Sequence, residues 1–227
     1  MIVKIKFAPF VIFTLAFALL FKLGMWQIDR WKEKAELSLK YEINSKVTIS
    51  DHELDSDIDL LNYKNIIMTG TWQPDDIFFL DMRKHNGVSG MQVVMPLLLN
   101  NGKKVLVNRG WIKHLPANKK DPVVISPKTI QTITGTIKQI NKSYFMTNND
   151  SSIRKMFIDI EKLTLANNKL FPAVVYQTDG EQDGLIRDWE RPNFRPSMHL
   201  GYAIMWFSFA LILVVMALYM SINRENN

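Results

Sequence analysis

Ser197-Met198-His199-Leu200-Gly201-Tyr202-Ala203-Ile204-Met205-Trp206 opens an apolar run that continues without a charged residue to Met220. At ~1.5 Å per residue, a helix from Leu200 to Met220 is long enough to cross a hydrocarbon layer of roughly 30 Å. The stretch therefore reads as a transmembrane helix with an imidazole at its boundary with water. Pro196 ends an extended approach and Ser197 is the expected N-cap, which places His199 in the first turn. Tyr202 and Trp206 follow at i+3 and i+7, so all three side chains share one stripe.

A second apolar run, Phe7 to Met25, is interrupted only by Lys22, whose ammonium can snorkel toward the headgroups from near a helix end. Two spans flanking a long segment give the expected organisation: a cytoplasmic tail over 1–6, a transmembrane helix over 7–26, an external domain over 27–198, a second transmembrane helix over 199–220 and a cytoplasmic tail over 221–227. Ala16-Phe17-Ala18 offers small residues at cleavage spacing, but inside the apolar run, where a signal-peptide site does not fall. The first span is thus expected to be an uncleaved anchor. Only six residues precede it, too few for an Arg-rich transit peptide, and a bacterial inner membrane with a periplasmic central domain is the simplest setting. Basic residues flank both ends of the first span, so the orientation rests on the length of the intervening domain and not on charge.

Between the spans, Trp26 to Leu37 lacks Gly and Pro, and the first helix is expected to continue out of the membrane along it. Gln27, Arg30 and Lys34 then form one stripe, while Trp26 and Trp31 suit the interfacial belt. Asp51, Glu53, Asp55, Asp57 and Asp59 alternate in the next segment; without a turn glycine or a closing glutamate they read as a solvated acidic linker and not a calcium loop. From Tyr63 the pattern turns to strands: Ile66–Trp72, Ile77–Leu80, Met91–Leu99, Val105–Trp111, Thr129–Ile140 and Ala173–Gln177, with a short helix over Ile160–Lys169. Asn100-Asn101-Gly102 is a hairpin signal, and Pro116, Pro122 and Pro127 mark an irregular connection. The fold class is a membrane protein in which two transmembrane helices flank a mostly antiparallel β (α+β) domain, built as a sheet or a small open barrel.

The chain has no cysteine, which removes disulfides, thiolate catalysis and cysteine metal sites. Its net charge of +6 is dispersed among 28 basic and 22 acidic residues with no basic helix, so a lipid bilayer and not nucleic acid is the expected neighbour. There is no nucleophile elbow, P-loop, dinucleotide fingerprint or paired-histidine zinc motif, and the chain is not expected to be an enzyme. His52, His85 and His114 stand far apart in polar surroundings and read as surface residues. His199 differs. If both spans meet the same bilayer face, the Gln27/Arg30/Lys34 stripe meets the His199 stripe there. An imidazole, aromatic faces and a cation at an apolar–aqueous boundary suit a haem, with iron on His199, the macrocycle among Tyr202 and Trp206, and propionates toward Arg30 or the Arg187, Arg191 and Arg195 series. An interfacial histidine with belt aromatics is the plainer reading, and these residues alone favour it.

Three motifs change that balance. Gly24-x-Trp26-Gln27-x-x-Arg30-x-x-x-Lys34, then Pro96-Leu97 with Val105-Leu106-Val107-Asn108-Arg109-Gly110-Trp111, then His199-Leu200-Gly201-Tyr202-Ala203-x-x-Trp206-Phe207 resemble, in order and spacing, the surfeit locus protein 1 family of cytochrome c oxidase assembly factors. The resemblance implies a non-enzymatic helper of haem–copper oxidase biogenesis, acting on cytochrome c oxidase subunit I beside the haem a synthesis machinery and handling haem a. It makes His199 the axial ligand of the haem iron. Met198 stands where the family commonly has Asn. Asn108, Arg109 and Trp111 read equally as strand architecture and as a partner surface. The rival expectation is a chaperone that holds the apo-subunit and binds no haem.

Overall fold

The computed structural model describes residues 7–114, 122, 124–140, 152–180 and 183–223; the tail at 1–6 and Pro116 of the irregular connection lie outside them. In chain order the elements are α1 (Phe7–Asn44), β1 (Thr48–Ser50), α2 (Ile58–Leu61), β2 (Asn65–Trp72), β3 (Phe78–His85), β4 (Val88–Leu99), β5 (Lys104–Lys113), β6 (Gln131–Lys138), β7 (Arg154–Lys155), α3 (Ile160–Ala166), β8 (Leu170–Gln177) and α4 (Pro196–Asn223). They fall into two compact units: a helical one, up to Lys40 and from Pro192 onward, and a β-rich one, Tyr41–Arg191.

In the helical unit α1 and α4 pack antiparallel, and both are long and apolar enough to cross a membrane. Gly24 makes the close approach possible: a Cβ there would stand 2.6 Å from the Phe207 ring. Phe21 meets the same ring edge-on at 5.5 Å between centroids, and Ala203 and Ala210 are buried on α4. Away from this seam, Leu15 and Leu19 on α1 and Ile204, Leu211, Val215 and Leu218 on α4 are exposed. Helices apolar on every face find a favourable solvent in lipid and not in water. α1 has no break between the apolar run and its polar continuation, in keeping with the absence of Gly and Pro over 26–37. The start of α4 differs from expectation. Pro196, not a residue after Ser197, opens the helix, since its fixed φ suits the first position and its missing N–H has no partner to lose there. Arg195 before it turns through a φ of +45°. His199 remains in the first turn.

The β-rich unit is a closed ring. β4 and β5 form the hairpin expected from Asn100-Asn101-Gly102, with Gly102 at a φ of +80° and Asn101 Oδ1 accepting from Lys103 N at 3.0 Å. β5 pairs with β8 in parallel, β8 with β6 and β6 with β2 antiparallel, and Gly70–Trp72 of β2 return to Leu97–Leu99 of β4. Five strands thereby close a small Greek-key type of barrel, where the sequence suggested an open one. β1 extends β2, while β3 and β7 extend β4. Ile66, Met68, Met95, Leu97, Val105, Val107, Ile133, Ile137 and Val175 belong to the larger core cluster. Val94, Leu106 and Val174 face the other way, joining Phe78, Leu80 and Ile158 with Ile160 and Leu163 of α3 against them. β4 and β5 are therefore covered on both faces, which explains their almost unbroken apolar runs.

The acidic segment is not a linker. Asp51–Asp55 form a 3₁₀ turn and Ile58–Leu61 the short α2, and Leu54 and Leu61 are buried in the larger cluster with Ile58 packed against it. The acids stay toward water. The overlooked signal is Leu54, Ile58 and Leu61 at i, i+4 and i+7, a helical stripe hidden among carboxylates. Ser50 and Glu53 begin it, with Glu53 Oε2 accepting from Ser50 N at 3.0 Å.

Candidate functional site

A polar contact between His199 and Gln27 joins the two long helices. Gln27 is only 8% exposed, held at the seam one turn beyond Gly24, and its Oε1 lies 2.8 Å from His199 Nδ1. An amide oxygen only accepts, so a ring that meets it with Nδ1–H is oriented through one nitrogen and keeps the lone pair on Nε2. This contact also puts the end of the apolar part of α1 and the start of α4 at one level, as a two-span hairpin requires. An imidazole whose first nitrogen donates to a fixed acceptor is the arrangement in which histidine ligates metals through the second.

The other residues singled out by sequence are placed as follows. Tyr202 is 45% exposed, one turn along from His199. Trp206, a turn further, is half-buried with Phe209 edge-on at 6.1 Å. Arg30 is exposed and donates through Nη1 to Glu33 at 2.7 Å; Lys34 reaches the same carboxylate at 3.9 Å. The Gln27/Arg30/Lys34 stripe is thus divided: its first member serves His199, while the cations share Glu33. Arg187 is engaged inside the β-rich unit. Among the described residues no three His, Cys, Asp or Glu side chains gather to hold a metal ion. His52 is exposed, His114 pairs with Asp81 at 3.0 Å, and His85 lies 5.3 Å from the Trp111 ring.

The Val105–Trp111 element has a different role. A bulge opposite Val93/Val94 makes Arg109 the extra residue and sets Gly110 at a φ of +148°, where a Cβ would stand 2.7 Å from Leu185 Cβ. Asn108, Arg109 and Trp111 are 0%, 4% and 7% exposed, too deep to form a partner surface. Arg109 lies over the Trp72 ring at 4.7 Å and donates to Ser126 Oγ at 2.6 Å and to Asp183 Oδ2 at 3.3 Å. Arg187 grips the same carboxylate through both terminal nitrogens, at 3.1 and 2.5 Å. Trp111 and Ile186 exchange backbone hydrogen bonds of 2.7 and 2.9 Å, so residues 183–187 are strapped to the end of β5. Burial lowers the Arg109 guanidinium below its usual range against the opposing Asp183 charge. Burial alone would raise the Asp183 carboxyl, but the Arg187 hydrogen bonds, the Leu185 N–H and the two guanidinium charges outweigh it and hold it below the usual range. Sequence reasoning missed Asp183: four residues before Arg187 in a non-helical segment, it carries no periodic signal.

Comparison with known proteins identifies the family to which the chain is similar. The SURF1 family profile matches residues 14–211. A SURF1-like protein of Rickettsia prowazekii is 27% identical over 91% of this chain and 86% of its own length. The cytochrome oxidase assembly protein SHY1 of Saccharomyces cerevisiae is 33% identical over 41% of this chain and 25% of its own. A SURF1-like protein of Mycobacterium bovis is 24% identical over 66% of this chain, and the match spans 56% of that relative.

Proposed function

Because the chain belongs to the SURF1 family, we propose that it is a non-enzymatic membrane factor in the assembly of cytochrome oxidase that holds haem a as cargo through His199. The assembly role is carried over from the yeast relative, a cytochrome oxidase assembly protein. The haem reading is supported by one observation of the chain itself, the Gln27-anchored imidazole that leaves Nε2 free between a membrane-length helix and water. The donor set fits such a group: one oriented nitrogen for iron, and the aromatic faces of Tyr202 and Trp206 on the same stripe for a macrocycle. Bound haem a would supply a ligand-accepting iron; the chain's own residues orient the imidazole, shield one side of it with the helix seam and keep the rest open. Arg30 is released to a propionate only by leaving Glu33, so Glu33 competes with that contact.

In this reading the two helices span a bacterial inner membrane with both termini cytoplasmic and the barrel periplasmic, and the partners are oxidase subunit I and the haem a synthesis machinery. The test is the absorption spectrum and extracted-haem content of the full chain purified from cells that make haem a, for wild type and His199→Ala at matched abundance. Wild type should carry haem a and the variant should lose most of it. Equal haem in both would remove His199 as ligand, and haem-free wild type from such cells would leave a chaperone of the apo-subunit.

A further inference from the structure

We propose that Gln27 is a positioning residue that fixes the tautomer of His199 before any ligand arrives, by keeping the proton on Nδ1 and the lone pair on Nε2. An isolated neutral histidine side chain favours the opposite tautomer, with its proton on Nε2. The contact that reverses that preference is the 2.8 Å approach of His199 Nδ1 to Gln27 Oε1, an oxygen that can only accept. Three features make the acceptor effective. Gln27 is 8% exposed, so water competes little for its oxygen. Its backbone is fixed by the close approach of Gly24 to Phe207, one turn away on the same seam. It is also neutral: a carboxylate would accept more strongly but would place a charge at the edge of an apolar span, where it is unfavourable.

The chemical consequence is directional. With Nδ1–H tied inward, Nε2 is presented as a ready ligand, and no proton needs to move before a metal binds there. Gln27 therefore acts through His199 and does not itself touch the metal. This much concerns the ligand-free chain; its value for haem retention rests on the function proposed above.

The experiment is ¹⁵N NMR of the full chain in detergent, labelled at its 4 histidines, at a pH of about 8.5 where imidazole is neutral. His199→Ala assigns the resonance. Wild type should show a protonated Nδ1 and an unprotonated Nε2 at His199. Gln27→Glu should keep that pattern, and Gln27→Leu should return the proton to Nε2. In haem-loaded protein Gln27→Leu should weaken retention by about 10–100-fold, while Gln27→Glu should keep haem and shift its reduction potential to more negative values. A wild-type Nε2–H signal would overturn the proposal, because the Gln27 amide would then be presenting its NH2 group to Nδ1. An unchanged tautomer in Gln27→Leu would overturn it as well. The expected tautomers in chains that never load haem would uphold Gln27's role and sink the haem reading alone.

Discussion

The helical pair and the barrel each bury a small polar cluster, and they use it in opposite ways. In the barrel, Arg109, Asp183 and Arg187 close on one another until the carboxylate is surrounded, and the result is a strapped loop. In the helical pair, Gln27 meets one nitrogen of His199, and among the described residues no side chain meets the other. A carboxylate held by two guanidinium groups is architecture; an imidazole held by one nitrogen is available for chemistry. The difference explains why the Val105–Trp111 motif and the His199–Phe207 motif, equally conspicuous in the sequence, have unlike roles in the molecule.

The sharpest way to break the comparison is to remove the carboxylate at the centre of the barrel cluster. Asp183→Ala leaves two guanidinium groups facing each other in a largely buried site and should destabilise the barrel by about 3 kcal/mol. Thermal unfolding of the detergent-solubilised chain should report it while haem content per folded molecule stays unchanged; a loss of haem without a loss of stability would make the barrel cluster functional. The same carboxylate sets a sign for pH. Its folded-state pKa lies below the unfolded value, so its contribution is present above about pH 4 and is lost as pH falls through the folded value. Wild-type barrel stability should decline on that limb more steeply than that of Asp183→Ala.

Next in size is Gly110→Ala. The residue would have to keep a φ of +148° and fit a Cβ 2.7 Å from Leu185, costing about 2 kcal/mol of barrel stability. An unaltered melting temperature would mean that the bulge can relax and the strap is not fixed there. The smallest effect belongs to the helical pair. Gly24→Ala gains about 1 kcal/mol of helix propensity but pushes on the Phe207 ring, so the two terms nearly cancel in stability. What should change is the site: the haem-to-protein ratio should fall several-fold with the barrel melt unmoved. Full retention of haem would show that Gln27 and His199 meet without the tight seam.

Much of this was legible in advance. Apolar runs announce the two long helices, short β-type runs bounded by turn residues announce most strands, and Asn100-Asn101-Gly102 announces the hairpin, because each signal is local. Closure of the barrel was not legible, since it depends on β2 meeting β4 with one end and β6 with the other, and no short window contains both pairings. The acidic segment misled because charge frequency masked three leucine-type positions at helical spacing. At the site, the stripe argument brought Gln27 to His199, but it could not foresee that Glu33 would draw Arg30 and Lys34 to itself. Arg187, a proposed propionate partner by position, is held by Asp183, a contact set by the strap and by nothing in its own neighbourhood.

Ring closure also governs the order in which this protein can be made. Its last strand, β8, ends at Gln177, long after β2 has emerged, and β2 cannot bury Ile66 and Met68 until β6 arrives to pair with it. Synthesis at about 5–20 residues per second leaves that apolar face waiting for several seconds. Once the ring closes, its five strands have no open seam, and the outermost strands beside it, β1 and β7, are three and two residues long. Edges so short offer little template for pairing with other chains. The hazard of aggregation is therefore greatest during biosynthesis, before the ring has closed.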